Sequence, residues 1–118
     1  MTREITSLGR IMISPKAMAT IAALAALQSY GVVGLTSKNF VDGIADKLAP
    51  DPRHGVEVNE QAGEITVDLF IVVEYGTRIA SVATSVANAV QYQIERAVGL
   101  PVTEVNVHVQ GLRISNMD

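Results

Sequence analysis

Glu64-Ile65-Thr66-Val67-Asp68-Leu69-Phe70-Ile71-Val72-Val73-Glu74-Tyr75 is the stretch that decides the fold. Ile65, Val67, Leu69, Ile71, Val73 and Tyr75 fall on every second position, and Glu64, Thr66, Asp68 and Glu74 lie between them. A strand sends successive side chains to opposite faces, so this spacing predicts one long strand with a core face and a polar face. Phe70 and Val72 interrupt the polar face. Just upstream, residues 55–60 read as a strand and Gln61-Ala62-Gly63 as a tight turn, which predicts an antiparallel hairpin.

Downstream, Gly76-Thr77 breaks the strand. Ile79, Val82, Ala83, Val86, Val90, Ile94 and Ala97 then recur at helical spacing, which predicts a helix over 78–98. Thr84, Ser85, Asn88, Gln91 and Glu95 occupy its other face. Gly99 suits a left-handed stop, and Pro101 prevents the helix from resuming. Residues 102–109 alternate again, with Thr103, Val105, Val107 and Val109 toward the core and Glu104, Asn106, His108 and Gln110 away from it. Gly111 marks a bulge or bend before Leu112-Arg113-Ile114.

Toward the N-terminus, residues 8–13 read as a short strand and Ser14-Pro15 as a helix start. Ser14 can cap the free N–H groups, and proline suits the first helical position. This helix runs to about residue 30, with Gly31 as its stop, and its one polar residue between Ala17 and Leu27 is Thr20. Met18, Ile21, Ala22 and Ala25 form a stripe, Leu24 and Leu27 lie beside it, and alanines cover much of the rest. Two readings are open: a helix sunk in a deep groove, or a helix whose second face meets another chain. Residues 31–36 read as a strand, and Phe40, Val41, Ile44 and Leu48 place a small amphipathic helix over 39–48. A turn-rich break follows, with Pro50, Pro52 and Gly55.

The expected order is strand, helix, strand, short helix, strand, strand, helix, strand. Each helix has one apolar stripe and each strand one apolar face. The expected fold is therefore α+β, a two-layer sandwich with two long helices on one face of a mixed or mostly antiparallel sheet. The other sheet face is expected to be polar and open. Residues 1–7 read as an N-terminal tail, 8–115 as one domain and 116–118 as a C-terminal tail.

Composition narrows the function. The chain has 118 residues, net charge −3 and no cysteine, so disulfides, thiolate metal sites and cysteine nucleophiles are excluded. Six basic and six acidic residues share positions 1–60, whereas 61–118 hold Arg78, Arg96 and Arg113 against Glu64, Asp68, Glu74, Glu95, Glu104 and Asp118. Without a cluster of Lys and Arg to displace counterions, nucleic-acid binding is not expected. The most apolar stretch, 17–27, is shorter than the roughly 20 residues a bilayer span takes, so a soluble, cytoplasmic chain is expected.

Catalytic constellations are sparse. His54 sits beside prolines and a glycine and reads as a surface residue. His108 shares the polar face of its strand with Glu104, Asn106 and Gln110, with Asp68 or Glu74 as cross-strand neighbours. One histidine with carboxylates falls short of the three or four ligands that zinc usually takes. No phosphate loop, calcium loop or paired serine nucleophile is present. No catalysis, metal or cofactor is expected. The candidate partner contacts are Phe70, Val72, Glu74, Asn106, His108 and Gln110.

Four segments carry a resemblance: Gly9-Arg10-Ile11-Met12-Ile13-Ser14-Pro15, Tyr30-Gly31-Val32-Val33-Gly34, Val67 through Gly76, and Val105-Asn106-Val107-His108-Val109-Gln110-Gly111. In this order and separation they resemble the alkaline-shock-protein family of bacteria, in its short single-domain branch. The resemblance implies a role in envelope stress response or envelope lipid homeostasis, with other proteins or a second copy of the chain as partners. It also implies attachment to the inner face of the membrane through a membrane-anchoring partner, or a link to a dihydroxyacetone-kinase-like fatty-acid kinase. The family supplies no catalytic residues. Beside this scaffold role stands a second expectation, a small apolar ligand such as an acyl chain lodged between the alanine-rich helix and the sheet.

Overall fold

The computed structural model describes residues 2–6, 9–37 and 55–114. In chain order it contains β1 (Thr2–Thr6), β2 (Gly9–Ile13), α1 (Pro15–Leu27), β3 (Val32–Leu35), β4 (Val56–Gln61), β5 (Glu64–Glu74), α2 (Ile79–Val98) and β6 (Val102–Arg113). The fold is α+β, as expected. The short helix expected over 39–48, and His54, lie outside the described residues. Residues expected to be a tail instead form β1, which pairs antiparallel with β2. Thr2-Arg3-Glu4-Ile5-Thr6 is too short for its alternation to be distinguished from a polar tail.

β5 organises everything else. Ile65, Val67, Leu69, Ile71 and Val73 are all fully buried, as their spacing requires. β4 pairs with its first half, Val56 opposite Leu69 and Gln61 opposite Glu64. The connecting Ala62 and Gly63 both have positive φ, 54° and 80°, the backbone of a primed two-residue turn. β3 pairs with its second half, Val32 opposite Val73 and Leu35 opposite Ile71. β6 runs parallel to β5 along nearly its whole length, from Ile65 and Val102 to Glu74 and Arg113. β3 and β4 therefore lie end to end on the remaining edge, and the sheet is mixed.

Where those two strands meet, the chain is tight. Thr36 donates its N–H to Phe70 O at 2.9 Å. A Cβ on Gly55 would stand 2.7 Å from Leu35 Cβ and 2.8 Å from Thr36 O, so only glycine fits there.

The register of β6 shifts twice, between Val102 and Glu104 and between Val109 and Gly111. The second shift is the bulge expected at Gly111. The first turns Thr103 out of the core face, so Val105, Val107 and Val109 pack on the core while Thr103 is exposed. Parallel neighbours need a crossover, and α2 provides it.

Both helices cover the face of β5 that carries Ile65 to Val73. Ser14 Oγ accepts the Ala17 N–H at 3.1 Å and caps α1, with Pro15 in its first turn. The helix ends at Leu27, a few residues before Gly31, whose φ of +88° makes the turn into β3. Met18, Ala19, Ala22, Ala23, Ala25 and Ala26 are buried, a wider arc than the expected stripe, because α1 lies against α2, β3 and β4 together. The deep-groove reading of α1 is the one this burial supports. α2 buries Val82, Val86, Val90, Ile94 and Val98, and Gly99 closes it with φ +84°. Ile79 and Ala97, expected in that stripe, are exposed. Val98 takes the inward position at the C-terminal end.

Two polar residues on α2 fix the start of β6. Glu95 Oε2 accepts the Val102 N–H at 2.9 Å, and Gln91 Nε2 donates to Val102 O at 3.2 Å. Both main-chain groups of a buried residue are thereby satisfied.

Candidate functional site

On the side of the sheet away from the helices, register places Glu57 beside Asp68, Asp68 beside Asn106 and Phe70 beside His108. Asp68 Oδ1 lies 3.1 Å from His108 Nε2, with the two side chains 28% and 44% exposed. The Phe70 ring stacks on the imidazole, centroids 4.6 Å apart and planes 11° apart. Asn106 Nδ2 donates to Glu104 Oε1 at 3.2 Å. The cross-strand neighbour foreseen for His108 is thus Asp68. Glu74 lies farther along, opposite Arg113.

This face is not open throughout. Phe70 is 8% exposed and Val72 1%, although neither belongs to the core beneath the helices. Alternation locates such residues on a face but does not say what covers that face. Phe70 and Val72 therefore present almost no surface to a partner. Asn106 is half-buried and His108 exposed, while Gln110 is half-buried at the bulge.

The arrangement is half of a general-base pair. A carboxylate holds an imidazole in one orientation, but the other half is a nucleophile on the remaining ring nitrogen. Among the described residues no hydroxyl bonds to His108, and no group of three or more His, Asp or Glu could hold a metal ion. A shallow cleft of about 360 Å³ lies on the same sheet, lined by Asn59, Glu60, Gln61, Glu64 and Thr66. Between α1 and the sheet, Met18, Ala22, Ala26, Leu69 and Ile71 are all fully buried.

A second surface lies at the end of the sheet where β5 and β6 finish. Gly31 O accepts the Glu74 N–H at 2.9 Å, and Arg113 O accepts the Tyr75 N–H at 2.8 Å. These bonds draw Tyr30, Tyr75, Ile79, Leu112 and Ile114 to one end, all of them exposed. Tyr30 is 83% exposed and Tyr75 62%, although alternation assigned Tyr75 to the core. Tyr75 lies one residue beyond the end of β5, where neither helix extends over it. Tyr30 stands between two clefts of about 350 and 360 Å³, one with Thr77, Arg78 and Ser81, the other with Val32, Val33 and Glu74. Sequence reasoning missed this surface. Its one signal was the pair of glycines, Gly31 and Gly76, each beside a tyrosine.

Comparison with known proteins places this geometry. Residues 3–114 match the model of the alkaline-shock (Gls24) family, described as having a cell envelope-related function. The Bacillus subtilis protein YloU is 40% identical over 113 residues, covering 94% of each chain. A stress response regulator gls24 homolog of Streptococcus pyogenes is 29% identical over 116 residues, covering 95% of this chain and 64% of its own. Among solved structures, a zinc form of the MamM CTD superposes with TM-score 0.52 at 15% identity, covering 86% of this chain and 90% of that one. A copper form of the same domain gives 0.51 at 16% identity, covering 87% and 91%. At such identity the likeness is one of fold.

Proposed function

The chain belongs to the alkaline-shock family, whose function is cell envelope-related, and from that premise we propose that it is a non-enzymatic binding domain that docks on protein partners at the envelope. The observation that carries this reading is the apolar end formed by Tyr30, Tyr75, Ile79, Leu112 and Ile114. These side chains are exposed and stand outside the buried core cluster. Grouped exposed apolar side chains mark contact surfaces, whereas scattered ones do not. Tyrosine is suited to this role, because it adds large contact area with few rotors to freeze.

The lone Asp68–His108 pair supports the non-catalytic half of the reading, since it lacks a nucleophile partner among the described residues. Among those residues no helix is long and apolar enough to cross a membrane, which fits attachment through a partner. The scaffold reading also includes self-association.

Photo-crosslinking in the native cell tests the proposal. A photoreactive phenylalanine analogue at Tyr75 should give discrete adducts with one or a few envelope proteins. The same analogue at Thr84, on the exposed side of α2, should not. Equal adduct patterns at both positions, or none at Tyr75, would overturn the reading.

A further inference from the structure

β6 has β5 on one edge, and among the described residues no strand pairs with its other edge. A long edge strand of exposed backbone groups is a template for another strand unless it is protected. Protection normally takes the form of prolines, lysines or a bulge in the middle. Between Val102 and Arg113 there is neither proline nor lysine, and the two register shifts fall toward the ends, leaving Glu104 to Val109 as a regular run. From the pattern of that run we infer that the occupant of the edge is β6 of a second copy, antiparallel, centred on Asn106. The inference rests on the self-associating scaffold reading and names the surface it uses.

Symmetry restricts the register. Antiparallel pairing of identical strands places a two-fold axis perpendicular to the sheet, and residues opposite each other must share a face. Centring on Asn106 sets Glu104 opposite the second copy's His108, twice by symmetry, and Asn106 opposite its own counterpart. On the helix side it sets Val105 opposite the second copy's Val107. Directly opposed side chains on one face lie about 4.5–5.5 Å apart between Cβ atoms, close enough for a carboxylate to reach an imidazole N–H. His108 is equipped for this. Asp68 holds Nε2, Phe70 fixes the ring plane, and among the described residues Nδ1 bonds to nothing. Shifting the centre by one residue to Val107 sets Asn106 opposite His108 and loses both Glu–His pairs. The two Glu104–His108 pairings choose the register.

The Asp68–His108 pair thereby gains a role that needs no chemistry. Asp68 orients the ring so that the imidazolium form, with an N–H on each nitrogen, can offer its Nδ1–H to a carboxylate across the seam. The two sheets become one continuous sheet, with all four long helices on the same side.

A cysteine-free chain makes the test direct. Asn106→Cys should place two thiols across the axis and give a disulfide-linked dimer under mild oxidation, at least ten-fold faster than Asn88→Cys on the exposed side of α2. Charge variants test the register separately by sedimentation. His108→Lys keeps a partner for Asp68 and should associate at least as tightly as the parent. E104K combined with H108K sets lysine against lysine twice and should weaken association ten-fold or more, with far-UV circular dichroism confirming that the variant is folded. Equal oxidation rates at the two cysteine positions would overturn the inference, as would undiminished association of E104K/H108K or a parent chain that stays monomeric at every concentration. None of these results bears on the adducts at Tyr75, which judge the partner-binding reading independently.

Discussion

α1 and α2 lie side by side on one face of one sheet, and they are built on opposite principles. α1 buries five alanines and one methionine over a wide arc. α2 buries four valines and one isoleucine in a narrow line, one residue for each turn. The difference follows from their surroundings. α1 lies against α2 on one side and β3 and β4 on another, and its alanines let the backbone come close, with Met18 the one long side chain in the arc. α2 instead lies against α1 and β6 and presents branched side chains that hold few rotamers in a helix. One helix is held by closeness and the other by volume.

That contrast predicts opposite sensitivities, each measurable by equilibrium denaturation. The largest effect belongs to α2. Ile94 is fully buried, and Ile94→Ala should cost about 3–4 kcal/mol through lost burial and the cavity left behind. In α1 the damaging change is an addition. Ala22 is also fully buried, and Ala22→Leu should cost about 2–3 kcal/mol by overpacking. A neutral result there would mean that α1 does not lie as close as its buried arc implies.

The third test uses the polar side of α2. Glu95→Ala removes the acceptor of the Val102 N–H and should cost about 2 kcal/mol, because a buried donor is left unsatisfied. Glu95→Gln retains an acceptor and should cost less. The smallest effect belongs to the outer side of α1, where Leu24 is 55% exposed. Leu24→Ser should change stability by less than about 0.5 kcal/mol. Together, Leu24→Ser and Ala22→Leu separate the two sides of one helix, one indifferent to its residue and the other intolerant of added volume.

Periodicity revealed what depends on one element at a time. The inward face of β5, the turn at Ala62-Gly63, the cap at Ser14, most of the α2 stripe and the stop at Gly99 all appear where spacing and residue type place them. What depends on two elements was legible only in part. Asp68 or Glu74 was expected beside His108, but the choice of Asp68 and the stacking of Phe70 on the ring depend on the parallel register of β5 and β6, which no local pattern encodes. The burial of Val72 and the exposure of Tyr75 depend on how far the covering layers reach. Gln91 and Glu95 looked like a solvated helix face, and their grip on Val102 appears only once β6 returns beneath the helix. The apolar end around Tyr30 is assembled from three separated segments, so no single stretch of sequence could display it.

The junction of β3 and β4 has a consequence for which residue can stand at Gly55. Thr36 and Gly55 nearly touch, yet residues 37–54 separate them in the sequence. Both sides of the junction are tied down, by Thr36 to Phe70 on one side and by the pairing of Val56 with Leu69 on the other. The closeness of Leu35, Thr36 and Gly55 therefore puts the limit on what may change here at one atom: a single carbon added at Gly55 forces the two strand ends apart.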